Sequence, residues 1–174
     1  DKGASWDSMN TNIAITQFQS VGLHPSNPGI VIGGTQDNGT LRTATPPTWT
    51  QVFSGDGGVT IVDPVTPATV FTEYVYLAIQ KSTNDGASFE APQTMDGAPE
   101  WGTIAVGPDG EVYISGLTAK VLRSLDARDP NVVSNFQYLN EVDLGGRAGG
   151  WDGPNPGGLL GQSWIACDHT GGAF

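Results

Sequence analysis

Asp56 stands in Gly55-Asp56-Gly57-Gly58, a carboxylate bracketed by glycines, and is the best catalytic candidate in the chain. Hydrolysis of a glycosidic bond needs two carboxylates roughly 5–10 Å apart, one acting as acid and the other as base or nucleophile. Asp37 and Asp63 are available as the second. The competing reading is structural, with Asp56 accepting main-chain N–H groups of the turn before a strand. Asp37 is also a candidate ligand-binding residue. His24 and His169 are far apart in sequence with no Cys or His beside either, which fits strand-end capping better than metal ligation. The stretch Asp126-Ala127-Arg128-Asp129-Pro130-Asn131 offers oxygens to calcium but lacks the Asp/Asn/Gly alternation of a calcium loop. No metal or cofactor is expected elsewhere. Trp101, Trp151 and Trp164 invite comparison with a carbohydrate-stacking platform. Of these, Trp151 within Gly149-Gly150-Trp151-Asp152-Gly153 reads as exposed and ligand-binding, the other two as core. Cys167 reads as a small buried hydrophobe. Asn38-Gly39-Thr40 fits a glycosylation sequon, but Asn-Gly is first a turn former.

The elements that hold these residues are short strands. The chain has 174 residues, 37% of them hydrophobic, with 25 Gly and 12 Pro and only 14% charged. That much Gly and Pro without a low-complexity tract predicts many tight turns and an all-β fold. No window sustains the i, i+3, i+4, i+7 spacing of an amphipathic helix. A net charge of −11, with no basic cluster, disfavours nucleic acid and anionic membranes. No apolar run approaches the ~20 residues of a membrane span. Acidity, low Lys and abundant Gly, Asn, Thr and Ser point to a secreted, periplasmic or cell-surface bacterial protein.

Three segments repeat. Each has an apolar strand ending in proline (Pro25, Pro64, Pro108), a tight turn, a second strand, and a third strand carrying a basic residue (Arg42, Lys81, Arg123). The prolines are 39 and 44 residues apart, and each precedes its basic residue by 17, 17 and 15. Periods near 40–50 with this content belong to propeller blades. The units predict four-stranded antiparallel blades at about 15–53, 57–95 and 101–142, with another opening at 163–174 on the strand Ser163–His169. A long Gly/Pro-rich loop over 143–162 precedes it.

Two segments share a further plan: Asp1-Lys2-Gly3-Ala4-Ser5-Trp6 and Ser82-Thr83-Asn84-Asp85-Gly86-Ala87-Ser88-Phe89, with Ser124-Leu125-Asp126 as a decayed third copy. This plan resembles the Asp-box, or BNR repeat. Together with Gly34-Thr35-Gln36-Asp37-Asn38-Gly39-Thr40 and the Asp56 segment, it is similar to bacterial BNR propellers related to sialidases and xyloglucanases, and to non-catalytic propellers. The resemblance implies that Asp1, Gly3, Ser5, Trp6, Ser82, Asn84, Gly86, Ser88 and Phe89 are structural. The box would sit in the turn between third and fourth strands, with its aromatic plugging the space between sheets. It also implies a catalytic role for an Asp placed like Asp56 in xyloglucanase-like members. A sialidase's arginine triad is not expected from Arg42, Arg123, Arg128 and Arg147, since Arg42 and Arg123 hold equivalent repeat positions. The expected architecture is a partial β-propeller, about three blades plus the edges of two more. Further blades of the same polypeptide, or a partner chain, would cover its open edges. The expected function is a non-catalytic scaffold binding protein or glycan, the alternative a glycoside hydrolase fragment.

Overall fold

The computed structural model describes residues 2–7, 15–74, 78–95, 102–116, 119–143, 145 and 163–171. Eleven strands follow one another in three antiparallel sheets, with no α-helix among the described residues. The first sheet holds β1 (Phe18–Leu23), β2 (Val31–Thr35), β3 (Gly39–Thr45) and β4 (Thr48–Phe53) in sequence order. The second holds β5 (Gly57–Val62), β6 (Val70–Tyr74) and β7 (Ala78–Ser82), and Gln93 bridges to Ile79 on its outer side. The third holds β8 (Thr103–Val106), β9 (Val112–Ser115), β10 (Lys120–Ser124) and β11 (Gln137–Glu141). The protein is an all-β partial propeller.

Burial shows which sheets have neighbours. A strand packed on one face alternates in and out, whereas one covered on both faces is buried throughout. Every residue of β7 and β8 is buried, as are the first four of β6. In β1, by contrast, Val21 and Leu23 are exposed while Gly22 between them is buried. The second sheet is therefore sandwiched, and the first is covered on one side only. Ile30, Ile32, Val62 and Val70 fill the first interface, with Phe89 packed against them. Phe71, Ile79, Ile104, Val106, Val112, Ile114, Leu122 and Ala127 fill the second.

The inner strands lock through hydroxyls. Ser20 Oγ on β1 donates to Thr60 O at 3.3 Å and accepts from Thr60 N–H at 3.1 Å on β5. At Gly34 the second strand comes so near β5 that an added Cβ would lie 2.0 Å from Gly58 O, so only glycine fits there. Residues 163–169, expected as a strand, form no ladder of their own. They run along β8, where Thr103 Oγ1 donates to Ser163 O (3.4 Å) and accepts from Ile165 N–H (3.0 Å), repeating the Ser20 lock.

The 82–89 segment lies between β7 and Gln93, and a serine hydroxyl organises it. Ser82 Oγ donates to Asn84 Oδ1 (2.9 Å) and accepts the Asn84 and Gly86 N–H groups (3.2 and 3.0 Å). Asn84 Oδ1 accepts Ser88 N–H at 3.0 Å, and Asn84 Nδ2 donates to Ser88 Oγ at 2.9 Å. Gly86 takes φ +73°, with its α-carbon against Ile32. Ser124 Oγ likewise donates to Asp126 Oδ1 at 2.6 Å, and Asn135 N–H donates to the same oxygen at 2.8 Å. Those two bonds, the Ser124 hydroxyl first, hold the Asp126 carboxyl below its ordinary range. The third copy thus keeps the serine–carboxylate pair without the glycine or aromatic. The N-terminal copy differs. Trp6 is 88% exposed and joins neither apolar cluster, because no described sheet lies on the outer face of the first. Asp1 lies outside the described residues.

Candidate functional site

Asp56 precedes β5, on a loop held from both sides. Gly55, at φ +94°, lies against the Tyr74 ring, and that ring meets Phe53 edge-on at 5.6 Å. Gly57 is packed against Gly34 and Gly39 of the β2–β3 hairpin. The Asp56 carboxylate accepts the Asp37 N–H at 2.8 Å, so it caps the neighbouring hairpin rather than its own turn. Asp37 itself sits at φ +62°, a left-handed conformation that Asp and Asn tolerate better than most side chains. Asp56 and Asp37 are thus brought together, and both are exposed. Asp63 is not with them. It lies past the opposite end of β5, roughly 20 Å away at ~3.3 Å per residue.

Beside Asp37 a cleft of about 500 Å³ is lined by Ile15, Thr16, Gln17, Gln36, Asp37 and Asn38. Its walls are tied to one another. Gln36 N–H donates to Gln17 O (3.1 Å), Asn38 Nδ2 to Gln36 O and Thr16 Oγ1 (3.0 and 3.3 Å), and Gln51 Nε2 to Asn38 O (2.9 Å). The Gln19 amide donates to the Gln36 side chain at 3.2 Å. Amide and hydroxyl groups on a pre-ordered wall suit a polar ligand that both donates and accepts hydrogen bonds.

The other candidates serve the interfaces between sheets. Asp63 is fully buried; its Oδ1 accepts the Val65 and Thr66 N–H groups at 2.8 and 2.9 Å, capping the turn. Its carboxylate also takes two bonds from Arg128, Nε to Oδ2 at 2.6 Å and Nη2 to Oδ1 at 3.1 Å. His24 holds the matching place one sheet earlier. Its Nδ1 accepts the Ser26 and Asn27 N–H groups (3.3 and 3.0 Å), and its Nε2 faces Asp85 Oδ1 at 3.5 Å. His169 Nε2 lies 2.9 Å from Val106 O. Arg42 Nε donates to Asp85 O at 2.7 Å. Lys81 Nζ donates to Asp129 O and Val132 O at 2.9 and 2.6 Å. In the stretch 126–131, an ammonium group therefore already takes the Asp129 carbonyl. Among the described residues no three His, Cys, Asp or Glu side chains gather as a metal site.

Burial of Glu73 pushes its carboxyl up from the ordinary 4.5 to about 7, although the Val59 and Gly102 N–H groups donate to it and favour the charged form. The Val59 bond is 3.2 Å. Glu73 is not among the acids that the sequence motifs mark. The signal was present as a lone charge in the apolar run Val70-Phe71-Thr72-Glu73-Tyr74. Cys167 is half-buried, and burial raises its thiol. Trp164, expected in the core, is 78% exposed, its segment being held to β8 through the Thr103 hydroxyl and the His169 ring and not by a sheet beyond it. Trp101, Trp151, Arg147 and residues 146–162 lie outside the described residues.

Comparison with known proteins gives likeness of fold. No family profile matches the chain, and no curated protein sequence matches it. An ancestral GH74 enzyme superposes with TM-score 0.54 at 17% identity, over 71% of this chain and 20% of that one. The GH74 xyloglucanase of Xanthomonas campestris superposes with TM-score 0.53 at 15% identity, over 70% of this chain and 22% of that one. YCF48 bound to a D1 peptide superposes with TM-score 0.50 at 14% identity, over 81% of this chain and 46% of that one. The chain thus spans about a fifth of the GH74 structures and under half of YCF48.

Proposed function

We propose that the chain is a non-catalytic propeller scaffold that binds a protein or glycan segment at the end of its first two sheets, through residues 15–17, 36–38 and 54–56. The observation that carries this reading is the amide-lined cleft beside Asp37, with Asp56 spending a carboxylate oxygen on holding its wall. A polar, pre-ordered wall of this kind can grip main-chain amides or sugar hydroxyls without reorganising. YCF48, with a peptide bound, supports a protein partner on such a fold. The loop 143–162 with Trp151 adds to the binding surface in this proposal. The acidic, lysine-poor composition supports a secreted, periplasmic or cell-surface bacterial setting, with the chain a subunit of a larger assembly. No described helix is long and apolar enough to cross a membrane.

A second reading, a fragment of a glycoside hydrolase, is favoured by one observation: Asp56 sits exposed at the mouth of β5 in a fold shared with two GH74 structures. Its second carboxylate would have to be other than Asp63. Two measurements separate the readings. Hydrolysis of xyloglucan and of sialosides is assayed with the full-length polypeptide, wild type against Asp56→Ala. Binding to glycan and peptide arrays is assayed for wild type against Gln36→Ala/Asn38→Ala. The scaffold reading expects no turnover from either protein and binding that the double substitution weakens at least tenfold. Turnover abolished by Asp56→Ala would refute it.

A further inference from the structure

The cleft beside Asp37 carries two carboxylates that no described cation meets. Asp37 lines it, and Asp56 joins it through the one oxygen that takes the Asp37 N–H at 2.8 Å. The other Asp56 oxygen and the whole Asp37 carboxylate have no hydrogen-bond partner among the described residues. No Lys, Arg or His lines the cleft, and the ion pairs of the described residues lie elsewhere, at His24–Asp85 and Arg128–Asp63. Arg42 and Lys81 are committed to main-chain carbonyls, and Lys120 and Arg123 stand on β10 of the third sheet. The repeat itself does not ask for an acid here. Gln36-Asp37-Asn38 joins β2 to β3, whereas Val75-Tyr76-Leu77 joins β6 to β7 and Gly116-Leu117-Thr118-Ala119 joins β9 to β10. The rest of the lining is of two kinds: Gln17, Gln36 and Asn38 bring amides, and Ile15 is an aliphatic side chain left 87% exposed. Calcium takes about six to eight oxygens, most of them anionic or carbonyl, and no third His, Cys, Asp or Glu joins the pair among the described residues.

We propose that this cleft takes a Lys or Arg side chain of an extended peptide segment. The cationic head lies at Asp37 and Asp56, the aliphatic stem along Ile15, and the segment's main chain on the amides of Gln17, Gln36 and Asn38. This names the partner of the site put forward above, and rests on that site being where ligand binds. Three kinds of group choose the occupant together. A fixed pair of carboxylates draws a cation and repels an anion. Lys and Arg lay their stems along apolar surface while the charge stays in water. A side-chain amide both donates and accepts, as peptide main chain requires. A neutral sugar would meet the amides but bring no counter-charge and no stem for Ile15, and an acidic one would be repelled. The Asp56 bond to the Asp37 N–H holds the two carboxylates in place before any ligand arrives, so little ordering is left to binding. At about 500 Å³ the cleft has the size of a small-ligand site, which accommodates a short segment and not a folded surface.

The test uses the full-length polypeptide and a library of acetylated, amidated hexapeptides with one position fixed at a time, read beside neutral and sialylated oligosaccharides. Asp37→Asn/Asp56→Asn removes both charges yet keeps an acceptor for the residue 37 N–H and a side chain that tolerates positive φ. The wild type is expected to select Lys or Arg at one position. Changing that peptide residue to Gln should weaken binding to the wild type at least tenfold, a comparison that needs no protein variant, and should change binding to the double variant little. The basic peptide itself should bind the double variant at least tenfold more weakly, and the wild type more weakly as NaCl rises from about 50 to about 500 mM. Gln36→Ala/Asn38→Ala should weaken it without altering the preference for a basic residue. Selection of peptides lacking Lys and Arg, weakened by Gln36→Ala/Asn38→Ala alone, would overturn the cationic occupant and leave the cleft a binding site. Preference for an oligosaccharide would give the cleft to glycan and overturn it as well. No selection from either set would remove the binding reading and this occupant with it. Calcium chloride titrated alone, binding the wild type but not the double variant, would assign the carboxylates to a metal ion and overturn it.

Discussion

Glu73 makes the fold's stability depend on pH in an unusual direction. Its carboxyl lies between the second and third sheets, is 8% exposed and has no cation against it among the described residues. Two N–H donors do not repay the loss of water, so the neutral form is preferred until about pH 7. In the unfolded chain the same carboxyl loses its proton near 4.5. Between those values the folded state binds more protons than the unfolded one, so stability falls as pH rises. The contribution is complete below about pH 4.5 and lost above about pH 7. At about 1.4 kcal/mol per tenfold in proton affinity, the displacement from 4.5 to about 7 amounts to about 3 kcal/mol. Most of it, about 2.5 kcal/mol, falls between pH 5 and pH 8. That is a large share of the 5–15 kcal/mol typical of a domain.

Glu73→Gln removes the titration and keeps an acceptor oxygen for the Val59 or Gly102 N–H. Urea unfolding followed by tryptophan fluorescence at pH 5, 6, 7 and 8 should show the wild type losing about 2.5 kcal/mol relative to the variant across that range. Every other titrating group is common to the two proteins, so the difference belongs to residue 73. Parallel stability profiles for wild type and Glu73→Gln would refute the reasoning, as would a carboxyl ¹³C resonance of Glu73 titrating near 4.5.

Arg128→Ala should cost about 3–5 kcal/mol in urea unfolding, because it leaves the fully buried Asp63 charge without its cation. The double variant Arg128→Met/Asp63→Asn should recover part of that. Ser82→Ala removes the hydroxyl that serves Asn84 and Gly86, and should cost about 1–3 kcal/mol, with amide exchange quickened at Asn84 and Gly86 first.

The repeat was legible because proline and the basic residue sit where backbone geometry demands them. Proline ends pairing at the turn, and the third-strand cation recurs at a fixed distance from it. What the spacing did not disclose was the target of that cation. Arg42 and Lys81 seek carbonyls, and a carbonyl leaves no mark on a sequence. The Asp63–Arg128 pair is 65 residues apart and comes together only when two sheets stack. Asp56 was legible as a carboxylate on a glycine loop, but its hydrogen bond to Asp37 depends on how closely β2 and β5 approach. The exposure of Trp6 and Trp164 could not be anticipated from aromatic character, since burial requires a neighbouring sheet.

The interfaces also explain how one copy of the box can decay while the architecture persists. Two kinds of contact cross each of them. The cation-to-carbonyl contact reads only main chain, so it survives replacement of Asn84-Asp85-Gly86 by Asp126-Ala127-Arg128. The residue just before the unit's proline contacts a side chain in the next turn, and there the partners have changed together. His24 faces Asp85 at the first interface and Asp63 faces Arg128 at the second, with the acidic partner on opposite sides. At the second interface, exchanging only Arg128 would leave the fully buried Asp63 without its partner, at a cost of several kcal/mol. Putting Arg128 in the place held by Gly86 therefore requires an acid at position 63. In the third sheet Arg128, which stands where the box has its glycine, lies against Gly110 of its own sheet and reaches across the seam to Asp63.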